Sequence, residues 1–148
     1  MNAGQLCSRI LATASPDESV RAAARRMEEY DVGTLVVLQE GRGDRGARAV
    51  GVITDRDIAV RCVARNLDPD EILVSEVMSA PARTIRDDTP VEDALAKMAA
   101  AGSRRLVVTA EGDRVAGLLS LDDVLEEMTR RAAAVGKLLE KQQPRVPA

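Results

Sequence analysis

The sequence predicts an α+β fold made of two β-α-β-β-α repeats packed about a pseudo-twofold axis, and three observations carry that prediction. The chain of 148 residues repeats itself: an offset of 71 aligns Ser8 with Ser79, Thr13 with Thr84, Val20 with Val91, Met27 with Met98 and Leu35-Val36-Val37 with Leu106-Val107-Val108. Each copy holds one apolar stripe at helical spacing, and each follows it with two short apolar runs separated by a Gly-containing polar turn. Repeats of this length bury their apolar faces on each other, so a pseudo-twofold seam with two related clefts follows.

The elements follow in order. Short extended segments are expected at 11–14 and 82–85, entering each first helix. In the first copy Val20, Ala23, Ala24 and Met27 fall at i, i+3, i+4 and i+7, and Val91, Ala94, Leu95 and Met98 do so in the second. Thr89-Pro90-Val91-Glu92 carries the residue types of a capping box with Pro in the first turn. Ser15-Pro16-Asp17-Glu18 has similar chemistry slightly upstream of its helix. Leu35 to Leu38 with Ala49 to Ile53, and Leu106 to Val108 with Val115 to Leu119, read as hairpins. At Gly51/Gly117 the offset has fallen to 66, so the first copy has five extra residues, within Gln39 to Arg48.

A second helix is expected from near Asp57 and near Asp123. The latter extends towards Lys141, with Met128, Ala132, Val135, Leu138 and Leu139 at helical spacing, before Pro144 and Pro147 end order. An exposed apolar stripe there favours self-association over a lone helix in water. Between the copies, Leu67-Asp68-Pro69-Asp70 is a turn signal, and Val74-Ser75-Glu76-Val77-Met78 is apolar enough to pack on the body. The reading is a first repeat at 4–65, a connector at 66–74, a second repeat at 75–130 and a helical extension and tail at 131–148.

Composition excludes several classes of function. A net charge of −3, no Phe or Trp and a single tyrosine, Tyr30, argue against nucleic acid as a partner. No apolar run approaches the ~20 residues of a membrane span, and the amino terminus lacks the shape of a signal peptide, so a cytoplasmic setting is expected. The absence of histidine removes the common hydrolase pairs and zinc sites, and no catalytic or metal residues are assigned. Cys7 and Cys62 read as small buried apolar residues rather than reactive thiols.

Two motifs remain. Gly41-Arg42-Gly43-Asp44-Arg45-Gly46 matches the letters of a dinucleotide fingerprint, but a strand rather than a helix follows it, so it reads as a solvated hairpin loop. Gly51-Val52-Ile53-Thr54-Asp55-Arg56-Asp57 and Gly117-Leu118-Leu119-Ser120-Leu121-Asp122-Asp123 both place a hydroxyl after an apolar strand and a carboxylate three residues later. Thr54 and Ser120 suit helix caps, and they suit an anion at a helix N-terminus equally well.

The combination of repeat, hairpin and G-h-h-[ST]-x-x-D in both copies resembles a pair of CBS domains over about residues 4 to 130. Such tandems also occur in the γ subunit of AMP-activated protein kinase, in IMP dehydrogenases and in chloride channels. The resemblance implies clefts along the seam that take an adenosine-containing ligand: AMP, ADP, ATP, NAD or S-adenosylmethionine, with no cofactor required. It places Asp57 and Asp123 on the ribose diol and Thr54 and Ser120 on phosphate. The adenine would lie among Val32, Gly33, Ile53, Leu119 and the strand entries at Thr13 and Thr84. Arg104 and Arg105, where the first copy has Gly33 and Thr34, direct a phosphorylated ligand to the second cleft. The expected role is a non-catalytic regulatory module, a homodimer signalling to an unidentified protein; the alternative is a ligand-free homodimeric scaffold.

Overall fold

The computed structural model describes residues 1–9, 12–43 and 46–142. Leu11, Asp44, Arg45, Pro144 and Pro147, which enter the expectations above, lie outside the described residues. The first repeat comprises α1 (Ala3–Leu6), β1 (Thr13–Ala14), α2 (Val20–Tyr30), β2 (Thr34–Gln39), β3 (Arg48–Thr54) and α3 (Asp55–Ile58), which runs on as a π-helical turn, Ala59–Val63. The second comprises α4 (Val74–Val77), β4 (Thr84–Arg86), α5 (Val91–Ala101), β5 (Arg105–Thr109), a 3-10 turn at Glu111–Asp113, β6 (Val115–Ser120) and α6 (Leu121–Gln142). This is the expected α+β repeat. Among the described residues no helix is long and apolar enough to cross a membrane.

Each repeat builds a three-stranded sheet, β1-β2-β3 or β4-β5-β6, with the first strand parallel to the second and the hairpin antiparallel. The hairpin after β2 leads straight into β3, so the glycine-rich stretch that imitates a dinucleotide fingerprint joins two strands. α2 ends on Asp31 at φ 52° and α5 on Gly102 at φ 61°, both left-handed residues whose N–H groups close the last turn. Val20, Ala23, Met27, Leu35, Val37, Ile53 and Cys62 form one core, and Ile85, Ala94, Met98, Leu106, Val108, Leu119 and Val124 form the other. Both cysteines are buried free thiols, and desolvation pushes the Cys7 thiol up.

Strand alternation decides what faces the seam. Leu35, Val37 and Ile53 point into their core, so Val36, one residue out of phase, points to the other face of the sheet. It is nevertheless only 1% exposed, as is Val107 in the second sheet.

The short leading helices are exchanged. α1, at the start of the first repeat, contributes Ala3 and Cys7 to the core of the second, and α4 contributes Val74 and Val77 to the core of the first. Residues next to them extend the sheets. Ser8 and Leu118 exchange backbone hydrogen bonds of 2.9 and 3.0 Å, and Ser79 and Val52 exchange bonds of 2.8 and 3.0 Å. Gly51 and Gly117 are required by this crossing. A Cβ on Gly117 would stand 2.5 Å from the Ser8 carbonyl oxygen and 2.6 Å from Cys7 Sγ, and one on Gly51 would stand 2.8 Å from the Ser79 oxygen.

The exchange also replaces an expected cap. Thr89 does not cap α5; Pro90 occupies the N-cap position with no side-chain bond. Instead Met1 accepts from the Val91 N–H at 3.2 Å, while Thr89 gives its carbonyl to the Ala3 N–H at 2.8 Å. α2 is capped by Ser19, which accepts from the Ala22 N–H, and the Val20 N–H donates to Ile72 of the connector at 3.0 Å. Ser15 and Glu18 form their turn upstream, where the Ser15 N–H donates to Glu18 Oε1 at 3.1 Å.

Candidate functional site

The strand-to-helix junctions carry the candidate chemistry. Thr54 ends β3 and caps α3: its Oγ1 accepts from the Asp57 N–H at 3.1 Å, and Asp57 Oδ2 accepts from the Thr54 N–H at 3.0 Å. Ser120 and Asp123 repeat the arrangement between β6 and α6, with bonds of 3.1 Å and 2.8 Å and a third from Ser120 Oγ to Asp123 Oδ2 at 2.8 Å. The structure therefore brings each hydroxyl and carboxylate pair together as a reciprocal cap, which satisfies N–H groups a helix start otherwise leaves open.

The two junctions differ beyond that cap. Asp57 is 9% exposed, and Ser79 Oγ, delivered by the exchanged segment, donates to its Oδ1 and Oδ2 at 3.2 and 3.3 Å. Arg61 Nε lies 3.9 Å from the same carboxylate, while its Nη1 donates to the carbonyls of Val77 and Met78 at 3.2 and 2.9 Å. In the second repeat the residue matching Arg61 is Glu127, a buried carboxylate paired with Arg130 and Arg131 of its own helix. No arginine therefore follows Asp123 one turn on, and Asp123 is half-buried. Ser79 and Arg61 escaped the sequence reading. The Ser8/Ser79 repeat pair and the Arg61/Glu127 mismatch were the signals for them.

The strand opposite differs as well. Thr34 is in register with Thr54, and its Oγ1 is a buried hydroxyl without a hydrogen-bond partner. In the second sheet Arg105 stands opposite Ser120, so the exposed guanidinium stem leaves on the face that carries the Ser120 hydroxyl. Arg104 lies beside Asp122 at 3.5 Å, with both groups well exposed. Gly33, its counterpart in the first repeat, has Asp55 against it: a Cβ there would stand 2.9 Å from Asp55 Oδ2. At the strand facing each junction, the first repeat thus has Gly33 and Thr34 where the second has Arg104 and Arg105.

Two expected ligand contacts are corrected. Ile53 and Leu119 have no exposed surface and belong to the two cores, because each precedes a seam-facing Thr54 or Ser120 in its strand and alternation turns it inward. Thr13 and Val32 come together elsewhere. They line a cleft of about 850 Å³ over β1 with Glu18, Arg26, Tyr30 and Glu40, and neither Thr54 nor Asp57 borders it. In that cleft Arg26 donates to the Thr13 carbonyl at 2.7 Å and forks onto both Glu18 oxygens, which holds the Glu18 carboxyl below its ordinary range. Thr84 receives Lys97 Nζ on its carbonyl in the same way.

Comparison with known proteins fits this geometry. The family model of the CBS domain matches twice, at residues 3–63 and 74–130. A CBS domain-containing protein of Bacillus subtilis, YhcV, is 33% identical over 124 residues, covering 83% of this chain and 83% of its own. The crystal structure of the conserved CBS domain protein TA0289 from Thermoplasma acidophilum superposes with a TM-score of 0.74 at 26% identity, over 97% of this chain and 78% of that one. The CBS domain protein PAE2072 from Pyrobaculum aerophilum, solved in complex with AMP, superposes with a TM-score of 0.72 at 28% identity, over 83% of this chain and 89% of that one. The chain belongs to the CBS domain family, as a tandem pair of repeats closed on each other by exchanged leading helices.

Proposed function

We propose that the chain is a non-catalytic regulatory module that binds an adenosine-containing ligand, a phosphorylated one by preference, at the Ser120–Asp123 junction, and that binding is passed to a partner protein. The observation that carries this reading is the register of Arg105 against Ser120, which sets a basic group, a hydroxyl and a half-buried carboxylate around one strand end. A carboxylate offers two acceptor oxygens to a ribose diol, and a guanidinium offers a planar fork to phosphate. Family membership and the AMP held by the Pyrobaculum relative support the ligand class. At the first junction Asp57 already serves Thr54, Ser79 and Arg61, which favours a structural role for it.

Thermal shift with AMP, ADP, ATP, NAD and S-adenosylmethionine tests the reading. A ligand at 100 times its Kd stabilises the folded state by ~2.7 kcal/mol. For a chain of this size that raises Tm by roughly 5–10 °C. The shift is expected to vanish in Asp123→Ala and to fall in Arg105→Ala for phosphorylated ligands, while Asp57→Ala retains it. No shift with any ligand, or a shift that survives both Asp123→Ala and Arg105→Ala, overturns the proposal and leaves the ligand-free scaffold.

A further inference from the structure

A second concavity lies away from both strand-to-helix junctions. Gly4 and Arg9 of the exchanged leading segment, with Asp87, Ala110 and Arg114 of the second repeat, line a pocket of about 300 Å³. Ser120, Asp123, Arg104 and Arg105 do not border it, so it is separate from the site proposed above.

Three charged side chains share this pocket, and backbone bonds fix the stem of each. Arg9 follows Ser8, which is paired with Leu118; Asp87 donates to the Thr109 carbonyl at 2.9 Å and accepts from the Gly4 N–H at 2.8 Å; Arg114 accepts from the Ala110 N–H at 2.7 Å. The charged ends are uncommitted. Among the described residues neither guanidinium joins an ion pair, nor does the half-buried Asp87 carboxylate, and Arg114 Nε reaches the Glu111 carbonyl at a long 3.5 Å. Glu111 and Asp113, of the same turn, stay outside the pocket wall, which leaves two cations to one acid.

The repeat supplies the control. Ala80 matches Arg9 and Pro16 matches Asp87 at the offset of 71, while Arg48 matches Arg114 at the offset of 66. The same strands and turns form in the first repeat, so the frame requires neither Arg9 nor Asp87.

The chemistry of the three groups names the occupant. A guanidinium only donates, in a planar fork suited to oxyanions, and a carboxylate only accepts. An ion that serves all three turns acceptor oxygens to the arginines and a proton to Asp87. Sulfate has no proton to give at neutral pH, and a phosphate monoester, with its second pKa at about 6, has mostly lost its own. Inorganic phosphate keeps at least one in both of its neutral-pH forms. We infer that this pocket binds inorganic phosphate, with Arg9 and Arg114 donating to its oxygens and Asp87 accepting from its hydroxyl. A bound ion then ties the exchanged leading segment to the second repeat, since each contributes one of the two arginines. The inference does not rest on nucleotide binding.

Titration calorimetry of the full chain at neutral pH and constant ionic strength, with phosphate, sulfate and glycerol phosphate in turn, tests it. Phosphate is expected to bind, with sulfate and glycerol phosphate weaker by about tenfold or more, the worth of one hydrogen bond to a charged group. Arg9→Ala and Arg114→Ala change exposed side chains, and each is expected to weaken phosphate by about tenfold while Tm of the phosphate-free protein is retained. Asp87→Asn, whose amide donates, is expected to abolish the preference for phosphate over sulfate. No binding of phosphate up to about 10 mM overturns the proposal. So does binding that survives Arg9→Ala combined with Arg114→Ala, which places the ion elsewhere, or a parent chain that takes sulfate or glycerol phosphate as tightly as phosphate.

Discussion

Replacing Gly117 by alanine tests the exchange of leading helices, because the crossing segment passes directly over that residue. The added Cβ would stand 2.5 Å from the Ser8 carbonyl oxygen, where ordinary contact begins at 3.4 Å, so the Ser8 segment must retreat by about 1 Å. A retreat of that size stretches its paired hydrogen bonds with Leu118, now 2.9 and 3.0 Å, beyond useful range. Two such bonds contribute ~1 kcal/mol each. Lifting Cys7 and Ala3 from the second core adds a void costing roughly 1–2 kcal/mol. The restricted unfolded chain of an alanine returns about 0.4–1 kcal/mol. The net loss is ~2–3 kcal/mol, or roughly 5–10 °C in Tm for a chain of this size. Gly51→Ala meets the Ser79 oxygen at 2.8 Å and the flexible Met78 Sδ at 2.9 Å, so its loss is expected to be about half as large. Urea denaturation and thermal melting of both variants measure this. A Gly117→Ala protein as stable as the parent, or a larger loss from Gly51→Ala, refutes the reasoning.

Two further outcomes follow from the polar contacts. Arg26 holds the Glu18 carboxyl below its ordinary 4.5, so the pair contributes stability above that pH and loses it as pH falls through the lower folded value; Glu18→Gln is expected to flatten the acid limb of a Tm against pH curve. Asp57→Ala leaves the Thr54 cap of α3 but removes the reciprocal bond to the Thr54 N–H and both acceptors of Ser79 Oγ, so urea denaturation is expected to show a loss of ~2 kcal/mol, against ~1 kcal/mol for Asp123→Ala, which removes only the bonds from Ser120.

The helices, hairpins and repeat were legible because their signals are local. Val20, Ala23 and Met27 at helical spacing declare a buried face, and the β-branched runs on either side of a polar turn declare a hairpin. The residue pairs Thr54/Asp57 and Ser120/Asp123 were also legible, since a three-residue spacing at a helix start brings hydroxyl and carboxylate together whatever the surroundings. Ile53 and Leu119 were misplaced although the information was local: if Thr54 and Ser120 face the seam, the residue before each faces the core. The Thr89 cap failed for a different reason. Its role passed to Met1, some ninety residues away, and no spacing rule reaches that far.

By itself the sequence determined what recurs: two α+β units, the order of their elements, the glycine and the hydroxyl–carboxylate pair at matching places, and the arginines that make the copies unequal. Only the tertiary structure decided which copy each leading helix serves. A repeat offset is the same whether a segment packs on its own unit or on the other, and the choice is made by long-range contacts at Ser8–Leu118 and Ser79–Val52. That choice carries the Ser79 hydroxyl onto Asp57 and sets Arg61 against the carbonyls of Val77 and Met78, whereas the residue matching Arg61 in the second repeat is Glu127. Short-range chemistry therefore wrote two similar strand-to-helix junctions, and packing at long range made them different.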